Sequence, residues 1–164
     1  MDSSEVAFSP DGTYLVVTEK LTSLIDIYPL TNGVASAPVS VASDGAIPFG
    51  FSFTSSGLLI VTNVESLSTP NASTVTSYTL SATGTLTPIS NQVPNNQTAT
   101  CWISLAPNGQ YAYTSNTLAG TISGYTVGST GALSLLTTGV VGDGTEDSAS
   151  DLRARADAGR KNEI

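Results

Sequence analysis

The sequence contains no histidine, one cysteine, and five cations against thirteen acids. Without histidine, the commonest general base and the commonest transition-metal ligand are both missing. A lone Cys101 can close no internal disulfide and leaves the redox compartment unread. No paired cysteines, phosphate-cradling glycine loop or metal-spaced carboxylate cluster occurs, so neither a metal nor a cofactor is expected. No apolar run approaches the roughly 18–20 residues of a membrane-spanning helix. Residues 1–4, Met-Asp-Ser-Ser, have neither the basic nor the apolar character of a leader, so no signal peptide is expected.

The few cations are unevenly placed. Residues 1–150 hold ten acids and one base, Lys20, whereas residues 151–164 hold four bases and three acids. A body with a single cation cannot neutralise a row of phosphates, which excludes nucleic acid and anionic membrane surfaces as partners. Serine, threonine, asparagine and glycine supply most of the polarity, a composition that leans towards an extracellular or periplasmic setting.

What the chain does have is a phrase written three times. Residues 7–19 read AFSPDGTYLVVTE, residues 52–63 read SFTSSGLLIVTN, and residues 104–116 read SLAPNGQYAYTSN. Each is followed by a run ending on tyrosine (Tyr28, Tyr78, Tyr125) and then by a glycine opening another short apolar stretch (Gly33, Gly84, Gly131). The period of about 45 to 50 residues is that of a four-stranded propeller blade.

Every local signal inside the repeat is β. Asp11-Gly12, Ser56-Gly57 and Asn108-Gly109 lie between alternating runs, where a hairpin turn needs residues tolerant of positive φ. Tyr14, Val16 and Thr18 alternate with Leu15 and Val17, the period of two of a strand. The pattern predicts an all-β chain of three antiparallel blades, at about 4–42, 48–91 and 98–138. The middle blade is expected to have strands near 49–53, 57–63, 73–80 and 85–90. The rhythm stops near Thr138, and residues 141–164 are expected to form an irregular tail. Three blades leave two end blades unsealed, so self-association through open blade edges is expected.

The phrases Phe8-Ser9-Pro10-Asp11-Gly12 and Tyr111-Ala112-Tyr113-Thr114-Ser115-Asn116 resemble the blade signature of the seven-bladed β-propeller lactonases, which include 6-phosphogluconolactonases and carboxymuconate cyclase-like proteins. Residues 48–53 and 97–102 are similar to one branch of that family. The resemblance covers about 4–140 and implies about three-sevenths of a ring. It implies a parent activity of hydrolysing a sugar or carboxylic-acid lactone. The histidines and arginines that family members offer to anionic substrates have no counterpart in residues 1–150. Two alternatives stand beside hydrolysis: a non-catalytic binding segment, and an inactive truncated product.

In a propeller, strand 1 of each blade lines the channel. The strand 2–3 loops and the blade connectors share the face where ligands bind. That arrangement brings Glu19, Lys20, Asn63, Glu65 and Asn116 near the mouth, with Asp44, Gln97 and Thr98 from the connectors. Lactone hydrolysis needs an activated water and an oxyanion stabiliser. Glu19 or Glu65 is the candidate base; Lys20, Asn63, Gln97, Thr98 and Asn116 are the candidate binding groups. The long loop Val64–Ala72 reads as a lid or as a tolerated insertion. Cys101 and Trp102, on a presumed inner strand with no histidine beside the thiol, read as core packing.

Overall fold

The computed structural model describes residues 2–136; the expected tail at 141–164 and the end of the third blade lie outside the described residues. Among the described residues, thirteen strands form three antiparallel sheets in sequence order. The first blade comprises β1 (Ser3–Phe8), β2 (Tyr14–Glu19), β3 (Leu24–Thr31), β4 (Val34–Ala35) and β5 (Val39–Ala42). The middle blade comprises β6 (Pro48–Phe53), β7 (Leu58–Asn63), β8 (Thr74–Leu80) and β9 (Leu86–Pro94). The third comprises β10 (Thr100–Leu105), β11 (Tyr111–Asn116), β12 (Thr121–Val127) and β13 (Leu133–Leu135).

The glycines of the repeated phrase do what the turns require. Gly12, Gly57 and Gly109 have φ of 70°, 87° and 68°, and the amide of each donates to the carbonyl three residues back. An L side chain there would be strained, and glycine is the residue that adopts this region freely.

The first blade departs from its siblings at its outer edge. Its fourth strand is broken into β4 and β5, which pair separately with β3. Pro38 stands between the two pieces. A proline has no N–H to give the ladder, so the pairing lapses and resumes.

The register makes the blades superimposable residue by residue. Leu15 pairs with Tyr28, Leu59 with Tyr78, and Ala112 with Tyr125. Phe8 pairs with Leu15, Phe53 with Leu59, and Leu105 with Ala112. The inner strand of every blade carries a register shift near its start, at Ser3/Glu5, Pro48/Phe51 and Thr100/Trp102.

Two apolar cores lie between blades. Tyr14, Val16, Ile25 and Ile27 of the first blade meet Phe51, Leu59, Val61, Tyr78 and Leu86 of the middle blade. Ile60 and Val75 of the middle blade meet Ala112, Tyr125, Val127 and Leu133 of the third. Each blade thus has one face for the blade before it and another for the blade after, because alternate residues of a strand point to opposite faces.

A hydroxyl near the end of strand 2 bolts each junction. Thr18 Oγ1 donates to the Phe49 carbonyl at 2.5 Å, and the equivalent Thr62 Oγ1 lies 2.9 Å from the Cys101 carbonyl. At the second junction, Gly50 lets the inner strands close, since a Cβ there would collide with the Cys101 carbonyl. No helix among the described residues is long and apolar enough to cross a membrane.

Candidate functional site

The strand 2–3 loops and the blade connectors gather on one face around a cup of about 460 Å³. The cup is assembled from equivalent positions of the three blades. Asp2, Ile47 and Ala99 each precede an inner strand, and Lys20, Val64 and Thr117 each follow a second strand. Backbone bonds tie these pairs in every blade: Lys20 N–H to Asp2 O at 3.1 Å, Val64 N–H to Ile47 O at 3.1 Å, and Thr117 N–H to Ala99 O at 2.8 Å. Ile47 and Ala99 hold φ of 53° and 56°. A β-branched residue seldom adopts that conformation, so the connector is locally strained beside the cup.

The residue types placed on this scaffold make the cup apolar on two sides and charged on the third. Ile47, Phe49, Val64, Ala99 and Cys101 line it, and Leu21, Leu67 and Leu118 stand exposed on the three loops. The polar side is the ion pair Lys20–Asp2, at 3.3 Å, with Lys20 Nζ 5.6 Å from the centre of the Phe49 ring. Thr117 Oγ1 lies 3.2 Å from Cys101 Sγ.

Of the candidate base and binding residues named from the sequence, Lys20 alone lines this cup; Cys101, expected in the core, also lines it. Glu19 is buried, and its Oε2 accepts from the Thr22 hydroxyl at 3.0 Å. Glu65 uses both oxygens as a staple: Oε2 accepts from the Ala46 amide at 2.9 Å and Oε1 from the Thr74 hydroxyl at 2.6 Å. Asn63 is fully buried and donates to Thr74 and Thr76. Asn116 is buried as well, donating to Thr121 and Ser123 while its oxygen accepts from Asn95 and Thr100. These amides hold strands together inside the blades.

The connector residues are similarly engaged. The Asp44 amide donates to the Tyr78 hydroxyl at 3.0 Å. Gln97 Oε1 accepts from Thr121 at 2.6 Å, and Thr98 Oγ1 accepts from the Asn71 amide at 2.9 Å. That last bond pins the long middle loop against the next connector. The loop also brings Leu67 to the cup rim.

Two groups escaped the sequence reading. Trp102, expected in the core, is half exposed, and it meets Phe49 edge to face at 5.2 Å. Glu5 reaches across the first junction to accept from the Phe51 amide at 2.5 Å. Burial raises its carboxyl above the ordinary value, and the Phe51 amide only partly offsets this. A perturbed carboxyl on an inner strand is a candidate acid–base group. The signal available in the sequence was its equivalence to Gly50 and Trp102, and periodicity alone does not reveal the cross-blade partner.

No protein-family model and no curated protein sequence matches the chain. Solved structures do. A protein from Bacteroides uniformis, provisionally assigned as a 6-phosphogluconolactonase, aligns at a TM-score of 0.67 and 15% identity, over 85% of this chain and 40% of its own. A Lactobacillus plantarum protein aligns at 0.69 and 21% identity, over 82% of this chain and 40% of its own. The periplasmic gluconolactonase of Pseudomonas aeruginosa aligns at 0.64 and 16% identity, over 82% of this chain and 39% of its own. The chain spans about two-fifths of the length of these structures and folds as three consecutive blades of the β-propeller that the lactonases among them share.

Proposed function

We propose that the three blades are the ligand-binding part of a lactone-hydrolysing propeller, and that the ligand sits in the cup on the connector face. The observation that carries this reading is the placement of the one cation of residues 1–150, Lys20, with its partner Asp2, on the wall of a mostly apolar cavity. A lactone brings one polar ester to such a place. Its carbonyl oxygen gains charge when water attacks, and an ammonium beside it stabilises that charge. Asp2, paired with Lys20, is the carboxylate best placed to take the water's proton. The ring C–O bond then breaks and the departing alkoxide takes a proton, which yields the hydroxy acid.

The lining favours a lactone with an apolar substituent over a polyhydroxylated sugar lactone. A sugar needs a dense set of donors and acceptors, because polar groups buried without partners are penalised. Apart from the Asp2–Lys20 pair, Thr117 is the only residue with a hydroxyl or charged side chain on the lining among the described residues. The low charge and hydroxyl-rich surface suit an extracellular or periplasmic protein.

A second reading, binding without turnover, draws on the fact that Glu19 and Glu65 are both committed to bonds within their own surroundings. One experiment separates the two. The chain is mixed with an alkyl-substituted δ-lactone, and acid release and thermal stability are measured together. Hydrolysis above the buffer rate, abolished by Asp2→Asn, supports catalysis. A rise in melting temperature without acid release supports binding alone. Neither effect removes both readings.

A further inference from the structure

We propose that the two end faces of the blade stack dock on each other between copies of this chain, the third blade of one copy seating on the first blade of the next. The residue-by-residue equivalence of the blades carries this. The middle blade closes against the first with Phe51, Phe53, Leu59, Val61 and Tyr78. The strand register equates these with Val6, Phe8, Leu15, Val17 and Tyr28 of the first blade. Phe51 is 3% exposed, whereas Val6 is 58% and Phe8 64% exposed.

The opposite end repeats the pattern. The first blade presents Tyr14, Val16 and Thr18 to the middle blade, and the third blade carries Tyr111, Tyr113 and Ser115 at those positions. Tyr14 is 8% exposed and Tyr111 is 37%. Trp102 occupies the position of Glu5, which crosses the first junction to the Phe51 amide, and Trp102 is 49% exposed. Four large apolar or aromatic side chains, Val6, Phe8, Tyr111 and Trp102, are therefore exposed at junction positions that face no other blade among the described residues.

The partner is a second copy because the two end faces are the two halves of the junction the chain already makes twice. Docking continues the series. Ser115, equivalent to Thr18 and Thr62, is set to bolt to the Ser4 carbonyl of the next copy, since Ser4 is equivalent to Phe49 and Cys101. Trp102 falls over Val6 and Phe8. The two faces differ, so the contact is heterologous, and two copies would bring six blades into one continuous stack.

The test uses the full chain and its single tryptophan. Sedimentation is expected to show a multi-copy species that grows with concentration, while Trp102 emission moves to shorter wavelength in step. Phe8→Asp and Trp102→Asp each block one end, so each variant alone is expected to be monomeric. Their equimolar mixture is expected to form a two-copy complex and nothing larger. Both positions are exposed, and circular dichroism checks that each variant folds; Val6→Lys replaces Phe8→Asp if the latter does not. A wild-type chain that stays monomeric at every concentration, its ends being covered by something else, overturns the proposal. So does either variant associating alone as the wild type does, which would mean a like-to-like contact or a different surface.

Discussion

Thr62 Oγ1 of the middle blade lies 2.9 Å from the backbone carbonyl of Cys101, a residue of the next blade's inner strand. The side chain is fully buried, so no water can replace it at that carbonyl. Thr62→Val keeps the shape and deletes this contact together with the hydroxyl's contacts to the Gly50 amide and carbonyl. The expected loss is about 1–3 kcal/mol, the usual penalty for stranding a buried polar group. Urea unfolding of the two proteins measures it, and a midpoint unchanged by the substitution would show that the bolt is idle.

Asn116 distinguishes a structural amide from a binding one. It makes four side-chain hydrogen bonds, to Thr121, Ser123, Asn95 and Thr100, joining strands of the third blade to the incoming connector. Asn116→Ala is expected to lower stability by about 3 kcal/mol. Lactone affinity per folded molecule should not change. Thermal unfolding with and without ligand reads both quantities.

Lys20 is expected to behave in the opposite way. It is about one-third exposed, and so is its partner Asp2. Solvent screens such a pair, so Lys20→Met should move stability by less than about 0.5 kcal/mol. Ligand affinity in the cup should fall about tenfold, or ~1.4 kcal/mol. Isothermal titration with an alkyl lactone provides the comparison.

Burial raises the phenols of Tyr78 and Tyr125 above the ordinary value of 10.0. The unfolded chain then releases these protons at a lower pH than the folded one. Their contribution is complete below 10 and is lost as pH rises through the higher folded values. Stability should therefore decline in alkali. Tyr125→Phe should flatten that decline at little cost near neutrality, because the buried Tyr125 hydroxyl has at most a weak contact with Asn95 and no well-formed hydrogen bond among the described residues. Chemical unfolding at a series of alkaline pH values tests the slope.

Glu5 gives a second linkage on the acid side. Its carboxyl is raised from 4.5 by burial, so the folded chain keeps this proton when the unfolded chain has lost it. The contribution is full below 4.5 and disappears as pH climbs through the raised value. Glu5→Gln removes this dependence and should make the protein less sensitive to pH over the mildly acidic range. Parallel urea titrations of both proteins supply the slopes.

The blade order and the strand-1 to strand-3 pattern were legible in the sequence because they rest on short-range rules. Gly12, Gly57 and Gly109 mark turns that need positive φ, and alternation in residues 14–19 marks a strand. The break in the first blade's outer strand was also written there, in Pro38, but whether pairing resumes after a proline depends on the neighbouring strand. The candidate site was legible only at Lys20. Glu19, Glu65, Asn63 and Asn116 sit at strand ends, where the chain pattern cannot say whether a side chain meets solvent or a neighbouring strand.

By itself the sequence determined that this chain is a threefold β repeat with one cation in its body, since periodicity, turn residues and charge are properties of a string. Only the tertiary structure decided which polar groups became internal clamps, how three loops, two connectors and Asp2 formed one cup, and which apolar side chains ended exposed at the outer faces. Those outcomes depend on contacts between residues about one blade apart in the chain, such as Thr18 with Phe49 or Thr62 with Cys101. Such contacts exist only once the blades are stacked.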